Sequence, residues 1–240
     1  MEHTQSADAR ERILSASIRL FSEKGFDATR VNEIADEAHV NKALIYYYFK
    51  SKEDILDQLV RSVIQNITSI ALDFIHESIV KMIADGRLDI ETDRMRFADE
   101  AAIACYLDKS FEYYERVMDY LLEYRAVIRI LMLESLKQGK HHNSLFQFLE
   151  YLKPREDNLI FATIWNADQD FTLTGDMMVS KFFFGIMPLL SFAAYYDDFK
   201  GLNPIGDRAL RDSFLLSCRG WLSSLVHGTD IMQRAGDTGK

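Results

Sequence analysis

Apolar residues return at every third or fourth position along most of this chain, and that period leaves few folds open to it. Ile13, Ala16, Ser17, Leu20 and Phe21 share one helical face near the N-terminus, and Ile55, Leu59, Val63, Ile67, Ile70 and Phe74 share another further on. Only 3 prolines and 11 glycines punctuate 240 residues. Strand-rich folds need many turns, so this scarcity predicts long helices with few connections. Nearly half the residues are hydrophobic (48%), enough for a sizeable core and against disorder. The expected fold is all-α: a small three-helix head over residues 1–52 and a larger helical body over 53–240.

The first helix is expected over 7–24, capped by Ser6, with Gly25 ending it in a left-handed conformation and Phe26 folding back on the last turn. A second runs from Thr29, its expected N-cap, to Ala38, followed by a tight turn at 38–40. A third runs from Asn41 to about Phe49. Ser51 starts a fourth, with Asp54 in capping-box spacing, which continues towards Gly86 with no Gly/Ser linker. Head and body are therefore mechanically coupled. Beyond a charged loop at 85–93, helical periodicity resumes over 95–137. A short segment at 143–152 and an irregular stretch at 154–172 follow, and helices over 174–197 and 206–227 close the fold. The most apolar run, Phe182–Tyr196, has 15 residues and contains Pro188, so it reads as a buried helix rather than a membrane span. The polar N-terminus shows no signal peptide, and a cytoplasmic protein with no membrane partner is expected. Cys105 and Cys218 read as buried, reduced thiols.

Charge is uneven. Residues 1–52 carry eight basic and eight acidic side chains, whereas the rest carries 20 basic and 29 acidic, the whole of the net charge of −9. Polyanion attraction must then be local. The window from His39 to Lys52 holds Lys42, Lys50 and Lys52 and no acid. At about 100° per residue, Ile45 and Phe49 of the third helix point together into the head, while Ala43 and Tyr47 point away and Leu44 and Tyr46 lie on the flanks. A helix with a small outer residue enters a major groove closely. Tyr47 then reaches a base edge or thymine methyl and Lys42 a guanine or phosphate. Thr29, through hydroxyl and amide, with Tyr46, Tyr48 and Lys52, suits phosphates; Arg30 is a further candidate, and Asn41 caps the reading helix.

The stretch TRVNEIADEAHVNKALIYYYFKSKEDIL, residues 29–56, resembles the helix-turn-helix of the TetR family of bacterial repressors. Thr29, Ile34, Ala35, Ala38, Val40, Ile45, Tyr46, Phe49 and Lys52 fit the family pattern. His39 replaces the usual turn glycine, Asn41 the usual serine and Tyr48 the usual histidine. The resemblance implies the same DNA contacts, a dimer built by a four-helix bundle of the last two long helices, and a body that binds a small effector.

Independent features fit a homodimer. Ser213, Ser217, Gly220 and Ser224 form a stripe of small residues, flanked by Leu210, Phe214 and Trp221, and Phe184, Leu189 and Phe192 make the preceding helix apolar all round. For the effector, the expected lining is Phe97, Phe111, Tyr114, Met118, Tyr124, Phe161, Trp165, Phe183 and Met187, with Arg125 or Arg129 meeting a carboxylate. The ligand would be mostly apolar. No cofactor, metal site or catalytic residue is expected. There is no Gly-x-Ser-x-Gly, P-loop, dinucleotide or His-Glu-x-x-His motif, and adjacent His141 and His142 diverge on a helix. The function expected is a ligand-responsive repressor binding a palindromic operator in double-stranded DNA. An activator or global regulator of the same fold, and a ligand-binding adaptor without DNA binding, are the alternatives.

Overall fold

The computed structural model describes residues 2–92, 94–146 and 158–226, leaving aside the side chains of 2–7 and 224–226. The head comprises α1 (Glu2–Lys24), α2 (Val31–Glu37) and α3 (Lys42–Tyr48). Helix α4 starts as Lys52–Phe74, passes through a π-helical stretch, Ile75–Val80, and ends as Lys81–Ala84, one rod over 52–84. The body continues with β1 (Leu88–Glu91) and β2 (Arg94–Phe97), then α5 (Glu100–Glu123), α6 (Arg125–Leu136), α7 (Leu159–Ala167), α8 and α9 (Asp207–Val226). Helix α8 runs continuously over Gly175–Leu202 with a π-helical centre at Ser180–Ile186.

Several expectations need correction. Helix α1 begins at Glu2, so Ser6 lies inside it, and its capping side chain is outside the described ones. Helix α2 begins after Arg30, whose backbone N–H donates to the Glu33 carboxylate at 2.8 Å; Thr29 is not the cap. The expected charged loop and the first residues of the 95–137 helix form an antiparallel hairpin instead, with Leu88 opposite Phe97 and Ile90 opposite Met95. Asp99 then caps α5 by accepting from the Ala102 N–H at 2.7 Å. Of the segment expected at 143–152, a 3-10 turn at Ser144–Phe146 is described and 147–152 lies outside the described residues.

Helix α8 is longer than the 15-residue apolar run. Pro188 has no N–H to give the preceding turn, and the wide π turns ahead of it absorb that loss without ending the helix. The result is 28 residues, the one helix among those described that is long and apolar enough to cross a membrane; a third of its most apolar stretch is buried in the protein.

One hydrophobic cluster runs unbroken from the head (Ile13, Phe21, Ile34, Ile45, Phe49) along α4 (Ile55, Leu56, Val60, Val63) into the body (Met118, Leu121, Ile128, Leu131, Leu190). A second cluster closes the far end, where Ile75, Ile79 and Met82 of α4 meet Leu88 and Ile90 of the hairpin, Tyr106 of α5 and Phe171. Cys105 and Cys218 are free and half-buried rather than fully buried, and burial pushes the Cys218 thiol up to about 11.

Candidate DNA-reading head and effector body

The geometry of α3 follows from its caps. Helix α2 ends at Ala38 and His39 takes φ +53°, the left-handed conformation favouring glycine. The Val40 N–H reaches back to the Ala35 carbonyl at 3.0 Å and the His39 N–H to that of Asp36 at 3.2 Å. These two bonds make a Schellman turn in which His39 holds glycine's place. Asn41 then caps α3, its side chain accepting from the Leu44 N–H at 2.7 Å.

This turn aims α3. Ile45 and Phe49 are each 1% exposed, Leu44 and Tyr48 half-buried, Tyr46 50% and Tyr47 77% exposed. Asn41, Lys42 and Ala43 are exposed as well. Tyr47 and Tyr48 meet edge to face at 5.0 Å, and the Lys42 ammonium lies 5.9 Å from the Tyr46 ring centre. Four acids of the head and the start of α4 are already engaged. Glu33 accepts from Lys24 and from the Arg30 N–H, which holds its carboxyl below the usual range. Glu37 pairs with Arg19, Asp27 with Lys137 at 3.0 Å, and Asp54 accepts from the Lys50 N–H at 2.8 Å. The exposed side chains of Arg30, Lys42 and Lys50 form no ion pair among the described residues, leaving a cationic rim around two outward tyrosines.

Two expected phosphate ligands are otherwise occupied. Thr29 is 2% exposed; its hydroxyl donates to the Gly25 carbonyl at 2.8 Å, and its N–H donates to that of Phe26 at 3.3 Å. Lys52 reaches inward from α4 to the loop between α1 and α2. Its ammonium donates to the carbonyls of Phe26 (2.7 Å), Thr29 (2.9 Å) and Asp27 (3.3 Å), and lies 4.4 Å from the Phe26 ring centre. All three ammonium protons are used, so Lys52 clamps the loop that positions α2.

The expected effector residues do not converge on one pocket. Phe111 and Tyr114 line a cleft of about 220 Å³ between α5 and α9, with Leu215, Leu216, Cys218 and Arg219. Phe97 and Phe161 pack on the second hydrophobic cluster, and Met187 packs on the first. Met118 is fully buried in the first cluster, where it seals the core. Tyr124 sits against Tyr120 at the outer end of α5, and Trp165 and Phe183 are exposed. Arg125 and Arg129 are neutralised by Asp197 at 2.7 Å and Asp198 at 2.5 Å. A larger cleft, about 510 Å³, lies among α5, α8 and α9, but its arginine and phenol are already engaged by acids, Arg211 with Asp119 at 2.6 Å and Tyr196 with Asp207 at 2.8 Å.

Of the expected dimer residues, Ser213, Ser217 and Gly220 are exposed along α9 and Phe184 is 60% exposed on α8. The Ser224 side chain lies outside the described ones. Leu189 and Leu210 are buried within the subunit rather than facing outwards, Leu189 as part of the first hydrophobic cluster. Phe192 and Phe214 are half-buried and stack on each other at 4.1 Å, tying α8 to α9, and Trp221 is half-buried. The exposed face also carries Tyr195, Phe199, Leu202 and Leu216, at 62%, 48%, 84% and 70% exposure, which the sequence reading missed.

Fold and site define a helix-turn-helix head on a helical body. Residues 13–59 match the description "Bacterial regulatory proteins, tetR family". Over those residues the head is similar to the helix-turn-helix of the TetR family. Among curated relatives, an uncharacterised HTH-type transcriptional regulator of Bacillus subtilis, YerO, is 51% identical over 49 residues, 20% of this chain and 17% of YerO. The HTH-type transcriptional repressor NicS of Pseudomonas putida is 29% identical over 138 residues, 57% of this chain and 53% of NicS. The chain therefore spans about half, or less, of the length of these relatives. A solved chain from Clostridium perfringens, described as a fatty acid metabolism regulator, superposes at TM-score 0.54 with 17% identity, covering 87% of this chain and 97% of that one. At that identity it shows the fold alone.

Proposed function

We propose that this protein is a dimeric transcriptional repressor that reads a palindromic operator with α3 and is released by a small, mostly apolar effector held in the body. The observation that carries the DNA reading is Tyr47, 77% exposed at the point of α3 opposite the buried Ile45 and Phe49, inside a rim of unpaired Arg30, Lys42 and Lys50. A single seven-residue helix makes few contacts. A dimer places two of them on one face of DNA, one helical turn apart. The exposed apolar and small residues of α8 and α9 supply the facing surface, and their burial between subunits accounts for the apolar length of α8.

Selection from random DNA tests the proposal. The expected outcome is a palindrome with half-sites about 10 base pairs apart, bound with an affinity that falls steeply with salt. An asymmetric site, or no enriched sequence, would overturn it.

A further inference from the structure

We propose that the body binds an apolar molecule bearing one anionic group, with Lys181 as its counter-ion and the Tyr114 hydroxyl as a neighbouring donor. The inference deepens the effector reading above and rests on it.

Lys181 lies in the π-helical centre of α8. Residues four apart on a helix project within about 40° of each other, so Met177, Lys181 and Gly185 share one face. Met177 packs on the second hydrophobic cluster. Gly185 is buried, and a β-carbon there would stand 3.8 Å from the Tyr114 hydroxyl. The face containing Lys181 is thus turned towards α5 and the body, while Phe183 and Phe184 take the exposed side. Flanked by two inward residues, Lys181 nevertheless keeps a large accessible surface. On this proposal, the side chain opens onto space between α8 and α5. Crowding of its ammonium by protein lowers its pKa, as expected for a charge removed from bulk water.

The neighbours tell the same story. Tyr113 and Tyr114 meet edge to face at 5.5 Å, and Tyr113 stacks on Phe74 of α4 at 5.0 Å. Burial raises both phenols, Tyr113 to about 12. Neither hydroxyl has a hydrogen-bond partner among the described residues, and both oxygens keep accessible surface. Helix α7 is apolar along its length, yet none of its residues is buried. Apolar walls, two unpartnered phenols and one cation define the ligand class. Lys181 also has no carboxylate or hydrogen-bond partner among the described residues, whereas Arg125, Arg129 and Arg211 are spent on Asp197, Asp198 and Asp119. In a body with nine more acids than bases, an unpaired cation beside inward-facing apolar residues favours an anion.

Fluorescence titration of the full chain with 8-anilinonaphthalene-1-sulfonate and with N-phenyl-1-naphthylamine tests this. The two probes share an aromatic skeleton, and only the first carries a negative charge. Wild type is expected to bind the sulfonate more tightly. Lys181→Met should lower sulfonate affinity about 10- to 100-fold and leave the neutral probe within about twofold. Lys181→Arg should restore most of the loss, and Lys81→Met, at an exposed position on α4, should change neither. Undiminished sulfonate binding by Lys181→Met, or equal loss of both probes, overturns the pairing. If wild type binds the neutral probe as tightly as the sulfonate, the pairing also fails while the cavity stands. Failure of both probes to bind wild type removes the effector cavity itself.

Discussion

Replacing Lys52 by Met separates two roles for the same cation. As a phosphate ligand, Lys52 would contribute to DNA affinity and almost nothing to stability. In the structure its ammonium instead holds three carbonyls of the loop between α1 and α2, at 2.7, 2.9 and 3.3 Å, and sits over the Phe26 ring at 4.4 Å. Hydrogen bonds to a charged group contribute about 1.5–3 kcal/mol each, and the cation–ring contact about 0.5–1 kcal/mol. Only the two shorter bonds have good geometry, and Lys52 is half-buried, so solvent screening reduces the sum to about 2–3 kcal/mol. Met keeps the aliphatic stem in place, so this loss belongs to the ammonium. For a chain of this size it lowers Tm by about 4–12 °C. Urea denaturation and DNA binding over a salt series read the two roles separately. The clamp predicts lost stability with an unchanged slope of log affinity against log salt. Stability within about 0.5 kcal/mol of wild type, with the salt slope reduced by about one, would refute the clamp and restore the phosphate contact.

Tyr47→Ala should weaken operator binding about 10- to 100-fold in a shift assay and leave the unfolding midpoint unchanged, since the ring is 77% exposed; unaltered operator affinity counts against its reading role. His39→Gly should raise stability by about 0.5–1 kcal/mol in urea denaturation, the cost of a left-handed L-residue less the entropy glycine adds to the unfolded chain; a destabilised variant would mean the ring makes contacts that offset its strained φ of +53°. Leu216→Arg places like charges on a face that is 70% exposed in the subunit, so sedimentation should show folded monomers; an intact dimer would move the interface elsewhere.

Helix α3 was legible because three local signals agree there. The spacing of Ile45 and Phe49 fixes its inner face, Asn41 its start, and the Ala38–Val40 turn its direction. Thr29 and Lys52 were misread for a common reason. A polar residue beside a cationic window looks the same in sequence whether it faces a phosphate or a backbone carbonyl, and only the fold of residues 25–29 brings those carbonyls within reach. The hairpin left a weak trace: Leu88 and Ile90, then Met95 and Phe97, alternate with polar residues, but four-residue strands offer too few repeats to stand against the helical pattern around them. The extent of α8 was hidden because Pro188 ordinarily ends a helix, and π turns are not written in composition. Lys181 escaped notice as one lysine in an apolar run; its setting depends on which way the π turns rotate it.

On the function proposed above, the two α3 helices of a dimer must move relative to each other, and the structure limits how a body can bring that about. Helix α4 reaches from the head core at Ile55 and Leu56 to the second cluster at Ile75, Ile79 and Met82, so one rod touches both sites. It is not the only tie. The segment after α6 grips the head as well, through Lys137 to Asp27 at 3.0 Å, Lys140 to Asp57 at 3.2 Å, and His141, which meets Asp57 at 3.3 Å and the Phe26 ring edge to face at 5.3 Å. A tilt of α4 alone would pull Asp57 away from Lys140 and His141 while Asp27 stayed with Lys137. In a repressor, then, the head swings as a unit with α4 and the end of α6 together, or these polar contacts break. The π stretch at Ile75–Val80 carries Ile75 and Ile79 of the second cluster and joins it to the straight part of the rod, and there α4 hydrogen bonding is already irregular and least costly to change. On that proposal, an effector that repacks Phe74, Tyr113 and Tyr114 would act on that point first, and the two ties to the head would set how much of the change arrives there.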